Sequence, residues 1–279
     1  MNAITQTNEP MKVLLYIALH QRRELEHLYY PALQRFCDYA GMKGIEIYNI
    51  FIFSEWEDYE IAKKYFPDAY YEEALNYPLG AKFNAGLYAA LKLRWDYWMQ
   101  LGCDDILLPE YWDAVYDYLL NGKDIIGMNE LFFYDIENNQ AKHLEGTHMI
   151  FGAGRFIRRE LIEQGSERMV VECLHTSTGG DRRGMLKSIP SWKFKDIQYK
   201  VIEKTLELWT PDKNSALDAS SFMHIMDGYK NSGLISQVTI DYPYIVDIKT
   251  SDNINTFDRV PGRMLTAEET EQLKEAFGL

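Results

Sequence analysis

Residues 12–19 read Lys-Val-Leu-Leu-Tyr-Ile-Ala-Leu, an almost unbroken apolar run, and no other stretch narrows the choice of fold as far. A strand with one wet face alternates apolar and polar residues; a strand buried on both faces does not. Residues 22–40 then place Leu25, Leu28, Ala32, Phe36 and Tyr39 at helical spacing, and Gly41 ends that pattern. A second apolar run fills 45–53. Strand, helix, strand in this order predicts a right-handed crossover and a parallel pair. A third run, 95–101, follows a helical stripe of Phe83, Leu87, Ala90, Leu91 and Arg94. The three runs are expected to lie parallel and adjacent. The fold class is therefore α/β, with a mostly parallel central sheet flanked by helices.

The pattern becomes mixed further on. Residues 68–72 predict a short strand, and Pro109 suits the first position of a helix over 110–120. Strands are expected over 123–133 and 140–144, turning at Glu137-Asn138-Asn139. Gly152-Ala153-Gly154-Arg155 precedes a short helix ending near Gln164. Residues 165–212 carry dispersed Gly, Ser, Pro and charge, the makings of an acceptor-binding segment or a lid. A helix is expected over 215–229, a closing pair of strands over 237–240 and 244–248, and a capping box at Thr266 to Glu269 before a last helix.

Composition removes several function classes. A chain of 279 residues with 47% hydrophobic residues has ample core for one large domain. A formal net charge of −13 disfavours nucleic acid and anionic membrane surfaces as partners. Cys37, Cys103 and Cys173 are odd in number and widely spaced, which fits neither a disulfide framework nor a zinc site. Residues 1–10 lack the apolar core of a signal peptide, and no run approaches the roughly 20 apolar residues of a membrane span. A cytoplasmic chain without a transmembrane segment is expected. There is no Gly-x-Ser-x-Gly elbow, Walker loop or Gly-x-Gly-x-x-Gly element, so hydrolase, ATPase and dehydrogenase readings recede.

Asp104 and Asp105 close the third apolar run. Carboxylates at a strand's C-terminal edge face the crevice where open α/β sheets bind ligands. Side by side they repel, so they need a cation, a proton or solvation; the plainer alternative is a solvated turn with Asp105 starting a helix. The stretch Gly102-Cys103-Asp104-Asp105-Ile106-Leu107-Leu108-Pro109-Glu110 resembles the Asp-x-Asp element and Leu-Pro helix entry of GT-A glycosyltransferases, the family 2 type in particular. Leu79-Gly80-Ala81-Lys82-Phe83-Asn84-Ala85-Gly86 is similar to the family's Asn/Gly-containing helix start, and the first strand lies where its nucleotide-binding strand begins. The likeness spans residues 11–130 closely. One position departs from it: Gly102 stands where the family element has its first aspartate.

That resemblance implies a flexible 1–10, a nucleotide-sugar-binding half over 11–130 and an acceptor-binding half over 131–279. It implies transfer of a sugar from a nucleotide sugar, a UDP-sugar foremost, to a carbohydrate or other acceptor hydroxyl, assisted by manganese or magnesium and with inversion. Asp104, Asp105 and His224 are the implied metal ligands and Asp218 the implied base, although Leu217 stands where the family has a preceding acid. His20 and Arg22, after the first strand, and Ser54 and Glu55, after the second, are candidates for the nucleotide, or else solvated turn residues. Lys82 and Asn84 open a helix, where they bind phosphate or sugar, or cap and solvate it. Two rivals stay open. A nucleotidyltransferase would want a better phosphate loop than His20-Gln21-Arg22-Arg23. A non-catalytic carbohydrate-binding or assembly protein is kept open by Gly102.

Overall fold

A computed structural model describes residues 9–76, 79–146, 150–173, 199–206, 235–251 and 256–279. It divides into two compact units. The first comprises residues 1–71, 94–158 and 236–279, the second 72–93 and 159–235.

The first unit is built on the three apolar runs. Strand β1 (Met11–Ala18) lies between β2 (Ile45–Phe53) and β4 (Tyr97–Gly102), parallel to both. Val13 to Ile17 are fully buried, as a run with no polar face requires. Among the described residues the sheet has seven strands in the order β12-β6-β9-β4-β1-β2-β3, with β3 at Tyr70–Glu73, β6 at Ile125–Met128, β9 at Phe156–Arg158 and β12 at Gln237–Ile240. Strand β9 runs antiparallel to both its neighbours, while β12 is parallel to β6.

Helix α1 (Glu26–Met42) packs Tyr29, Tyr30, Leu33, Phe36 and Ala40 inward, and Gly44, at φ +75°, turns the chain into β2. Helix α2 (Trp56–Tyr65) follows β2, and α4 (Tyr111–Leu120) follows Pro109. Trp112 docks α4 on α1: its ring stacks on Phe36 at 4.9 Å and its indole N–H donates to the Phe36 carbonyl at 3.0 Å.

A second sheet in this unit runs β14-β8-β7-β13-β5. Its members are β5 (Asp105–Leu107), β7 (Leu131–Asp135), β8 (Gln140–Leu144), β13 (Ile245–Lys249) and β14 (Arg263–Met264). The expected strand over 123–133 is thus two strands in two sheets, broken at Asn129 and Glu130, where polar residues interrupt the apolar pattern. The expected closing pair, 237–240 and 244–248, also separates: β12 extends the large sheet, and β13 pairs with β5 and β7. Tyr242-Pro243 between them redirects the chain, since proline lacks the N–H that a tight ladder needs. The last helix, α6 (Ala267–Phe277), starts on the expected capping box at Thr266 and Glu269.

The second unit contains α3 (Leu79–Ala90), α5 (Arg159–Ser166) and an antiparallel ribbon of β10 (Glu167–Cys173) and β11 (Tyr199–Leu206). The Arg159 guanidinium donates to the carbonyls of Leu93 at 2.6 Å and Leu91 at 3.2 Å, tying α5 to the chain after α3. The expected helix over 215–229 lies outside the described residues. Among the described residues no helix is long and apolar enough to cross a membrane.

Candidate functional site: an acidic centre at the end of β4

Strand β4 stops at Gly102, two residues turn, and Asp105 begins β5. Asp105 is therefore a strand residue rather than the helix start weighed from sequence. Strand β5 pairs antiparallel with β13, and the register sets Asp247 directly opposite Asp105. The turn is closed by Ile248, whose N–H donates to the Asp104 carbonyl at 2.8 Å. One carboxylate oxygen from each of Asp104, Asp105 and Asp247 lies within 4.8 Å of the others.

Gly102 lies against this gathering. Its N–H donates to Asp105 Oδ2 at 2.6 Å. A Cβ at this position would come within 2.6 Å of Asp104 Oδ1 and 2.9 Å of Asp105 Oδ2. An aspartate at 102, where the Asp-x-Asp pattern has one, would thus require the Asp104 and Asp105 carboxylates to shift. The third carboxylate comes instead from β13.

Three like charges this close repel by about 3–4 kcal/mol per pair at an effective dielectric of 20, and like charges directly opposite in a ladder destabilise the pairing. Burial, and then the charge on Asp104, pushes the Asp105 carboxyl up to about 7, against the Gly102 N–H and the Lys249 ammonium, which favour its ionised form. Burial, followed by Asp104 and Asp105, also holds the Asp247 carboxyl well above the usual range. Asp247 Oδ2 accepts from Lys249 Nζ at 2.6 Å, while the buried Oδ1 has no hydrogen-bond partner among the described residues. An orphaned buried oxygen, a cradle that a side chain at 102 would fill and an all-oxygen donor set fit a hard divalent cation. The cluster could hold such an ion.

The neighbouring edge is formed by the turns after β1 and β2. Arg22, mostly buried, sets its Nε 3.8 Å from Asp104 Oδ2. His20 is exposed, and with Arg22, Tyr29 and Cys103 it lines one small cleft. Gln21 adopts φ +47°, uncommon for a side chain of its kind, and its N–H donates to Asp58 Oδ2 at 3.1 Å. Glu55 is held on both oxygens, by the Gln21 side-chain amide and by Arg23 at 2.7 Å. Arg23 also reaches the buried Asp58, at 3.3 Å. The structure thus places Glu55 and Asp58 in a latch joining the two turns. Ser54 Oγ is buried and has no partner among the described residues.

Lys82 and Asn84 belong to the second unit and are both buried, with Lys82 Nζ 3.1 Å from Asn76 Oδ1. Helix α3 begins at Leu79, so Asn84 lies in its interior and not at its cap. Asp218 and His224 lie outside the described residues. Sequence reasoning brought Asp104, Asp105, His20 and Arg22 to one edge and missed Asp247 and Lys249. Their signal was present: Ile245-Val246-Asp247-Ile248-Lys249 puts two charges on one face of an otherwise apolar strand.

No protein-family model matches the chain, and no curated protein does. Among solved structures the chain is similar to S. aureus TarS, with a TM-score of 0.52 at 12% identity over 85% of this chain and 37% of that one. It is also similar to TarS 1–349 in complex with UDP-GlcNAc, with a TM-score of 0.50 at 12% identity over 96% of this chain and 65% of that one. The match to TarS 1–349 in complex with UDP has a TM-score of 0.50 at 12% identity, over 85% and 60% of the two chains. The chain has a GT-A-type fold. It spans 37% to 65% of the length of these three structures. In the GT-A-type frame the acidic centre occupies the C-terminal edge of a parallel strand, the edge at which open α/β sheets take their ligands.

Proposed function

We propose that the protein is a nucleotide-sugar-dependent glycosyltransferase that moves a sugar from a UDP-sugar to a carbohydrate or other acceptor hydroxyl. The observation that carries this reading is the cluster of Asp104, Asp105 and Asp247 at the ligand-binding edge of a GT-A-type sheet. TarS, similar in fold, has been captured with UDP-GlcNAc and with UDP, which supports a uridine nucleotide as the donor's handle. Asp104, Asp105 and Asp247 would hold manganese or magnesium. The ion would supply Lewis-acid stabilisation of the departing diphosphate.

The chain's own residues do the rest. Arg22, beside Asp104, offers a cation to the phosphates. His20 on the same edge meets the base or ribose, and Ser54 and Glu55 border it after β2. Lys82, Asn84 and the proposed ligand His224 are assigned to donor and metal binding on the resemblance of their sequence surroundings. In the inverting reaction the acceptor oxygen bonds to the anomeric carbon as the bond to the phosphate oxygen breaks. The electron pair leaves with the diphosphate, and the acceptor proton passes to the Asp218 carboxylate. Residues 11–130 form the donor half and 131–279 the acceptor half, which lends Asp247 to the donor site; the site of action is the cytoplasm.

A thermal-shift series with UDP, UDP-sugars and other nucleotide sugars, with and without manganese, tests the reading. A ligand at one hundred times its Kd should stabilise the chain by about 2.7 kcal/mol, and turnover of the stabilising donor should follow. Stabilisation by no nucleotide at millimolar concentration, with manganese present, would reject the donor site. Binding without turnover on any hydroxyl acceptor would favour the non-catalytic carbohydrate-binding reading.

A further inference from the structure

The acidic centre has an internal counter-charge that the proposed reaction does not use. Lys249 lies two residues beyond Asp247, on the same face of β13. It is buried, with 6% of its surface exposed, and its Nζ stands 2.6 Å from Asp247 Oδ2 and 5.4 Å from the centre of the Phe133 ring. A buried ammonium is costly unless paired, so Lys249 is held to Asp247 from one side and to an aromatic face from another. The pairing divides the Asp247 carboxylate. Oδ2 is committed to the ammonium, and Oδ1, buried and without a partner among the described residues, is the oxygen left to give. Asp105 is divided the same way, because its Oδ2 accepts from the Gly102 N–H.

From this division we infer that Lys249 is the positioning residue of the cation site. It fixes Asp247 as a one-oxygen ligand and so tunes the centre to a small octahedral cation, manganese or magnesium, rather than calcium. Calcium takes six to eight oxygens at about 2.3–2.6 Å and gains from carboxylates that chelate with both. Magnesium takes six near 2.0–2.1 Å and is commonly bound through one or two carboxylates plus water and phosphate oxygens. Two carboxylates with one oxygen each already tied offer the second pattern. The inference rests on the cation reading of the acidic centre and adds what sets its selectivity.

Titration of the full chain with manganese and with calcium, each alone and without nucleotide, tests it by calorimetry at one pH. The parent should bind manganese more tightly than calcium. Lys249→Met removes the tether at similar volume. Manganese affinity should fall about 10- to 100-fold, the usual cost of losing an outer partner of a ligand. Calcium affinity should fall less, because Oδ2 becomes available for chelation, so the manganese-to-calcium preference should shrink. Lys249→Arg should restore most of that preference, which a purely structural effect of the Met variant would not explain. Equal manganese affinity and an unchanged preference in Lys249→Met would overturn the inference. Should that variant lack a cooperative melt, Asp247→Asn decides: a preference identical to the parent's overturns the inference, and a reduced one supports it. A parent chain that binds neither ion rejects the cation site itself, an outcome visible before any variant is made.

Discussion

At the scale of single residues, the acidic centre is packed against a glycine. The Asp-x-Asp pattern makes Gly102 look like a lost ligand, yet the space beside its Cα is where the Asp104 and Asp105 carboxylates stand. Gly102→Asp should therefore weaken manganese binding at least tenfold, although it brings the sequence nearer the family pattern. Gly102→Ala should act in the same direction and cost about 1–3 kcal/mol in stability, the range for an overpacked site. Calorimetric titration with manganese and thermal melts of both variants would check this; tighter binding by Gly102→Asp would show that the carboxylates move aside freely. The pair itself was legible as Asp104-Asp105 after an apolar run. Its third member was legible only as a charge on an apolar strand and not as part of this site, because Asp247 reaches the site through the pairing of β13 with β5, which joins residues far apart in sequence. The latch was half legible. Glu55 was singled out for its place after β2, but its partners Gln21 and Arg23 come from the turn after β1.

At the scale of elements, sequence reading succeeded where one element owned its signal. Strand β1 is buried on both faces from Val13 to Ile17 and says so in each of those residues, and the bounds of β2 are those read from its apolar run. The capping box is likewise local, and it carries a pH dependence. The Glu269 carboxyl accepts from the Thr266 N–H at 2.7 Å and from Arg263 at 3.1 Å, and those donors lower its pKa from its ordinary 4.5 to about 2. A carboxyl whose pKa is depressed on folding stabilises the fold above its unfolded value and loses that contribution as pH falls through its folded value. The contribution of Glu269 should thus be whole above pH 4.5 and disappear between about 4.5 and 2. Melting the parent and Glu269→Gln across that range should give curves that converge as the pH falls; a constant offset would show that the carboxylate is not the stabilising form. Elements failed to be legible where an apolar pattern continued through a change of sheet. Residues 123–133 read as one strand where the chain forms β6 and β7, and only Asn129 and Glu130 hint that it leaves one sheet for another.

At the scale of the whole molecule, the proposed reaction separates two jobs that two aspartates should perform independently. Asp104 lies in the acidic cluster and 3.8 Å from Arg22, so in the proposed reaction its work would be holding the cation and, through it, the diphosphate. Asp218, assigned as the base by resemblance, should act only as the acceptor hydroxyl loses its proton, late on the way to the transition state. Asp104→Asn should then weaken manganese-dependent UDP-sugar binding at least tenfold. The fold should survive, because relieving like-charge repulsion offsets the loss of a partly exposed side chain. Asp218→Asn should lower kcat by roughly 10²–10⁴-fold, the usual worth of a general base, and leave donor affinity nearly unchanged. The two effects should add on a logarithmic scale in the double variant, since ground-state donor binding and proton removal are separate steps. Donor affinity comes from equilibrium titration and kcat from turnover with a saturating acceptor. Parental turnover in Asp218→Asn would assign the base to another residue or the mechanism to retention, while a matching loss of donor affinity in both variants would place both aspartates in the donor site. Either result leaves the sheet order and the acidic centre standing, because those rest on backbone pairing and carboxylate geometry, whereas the base rests on sequence likeness alone.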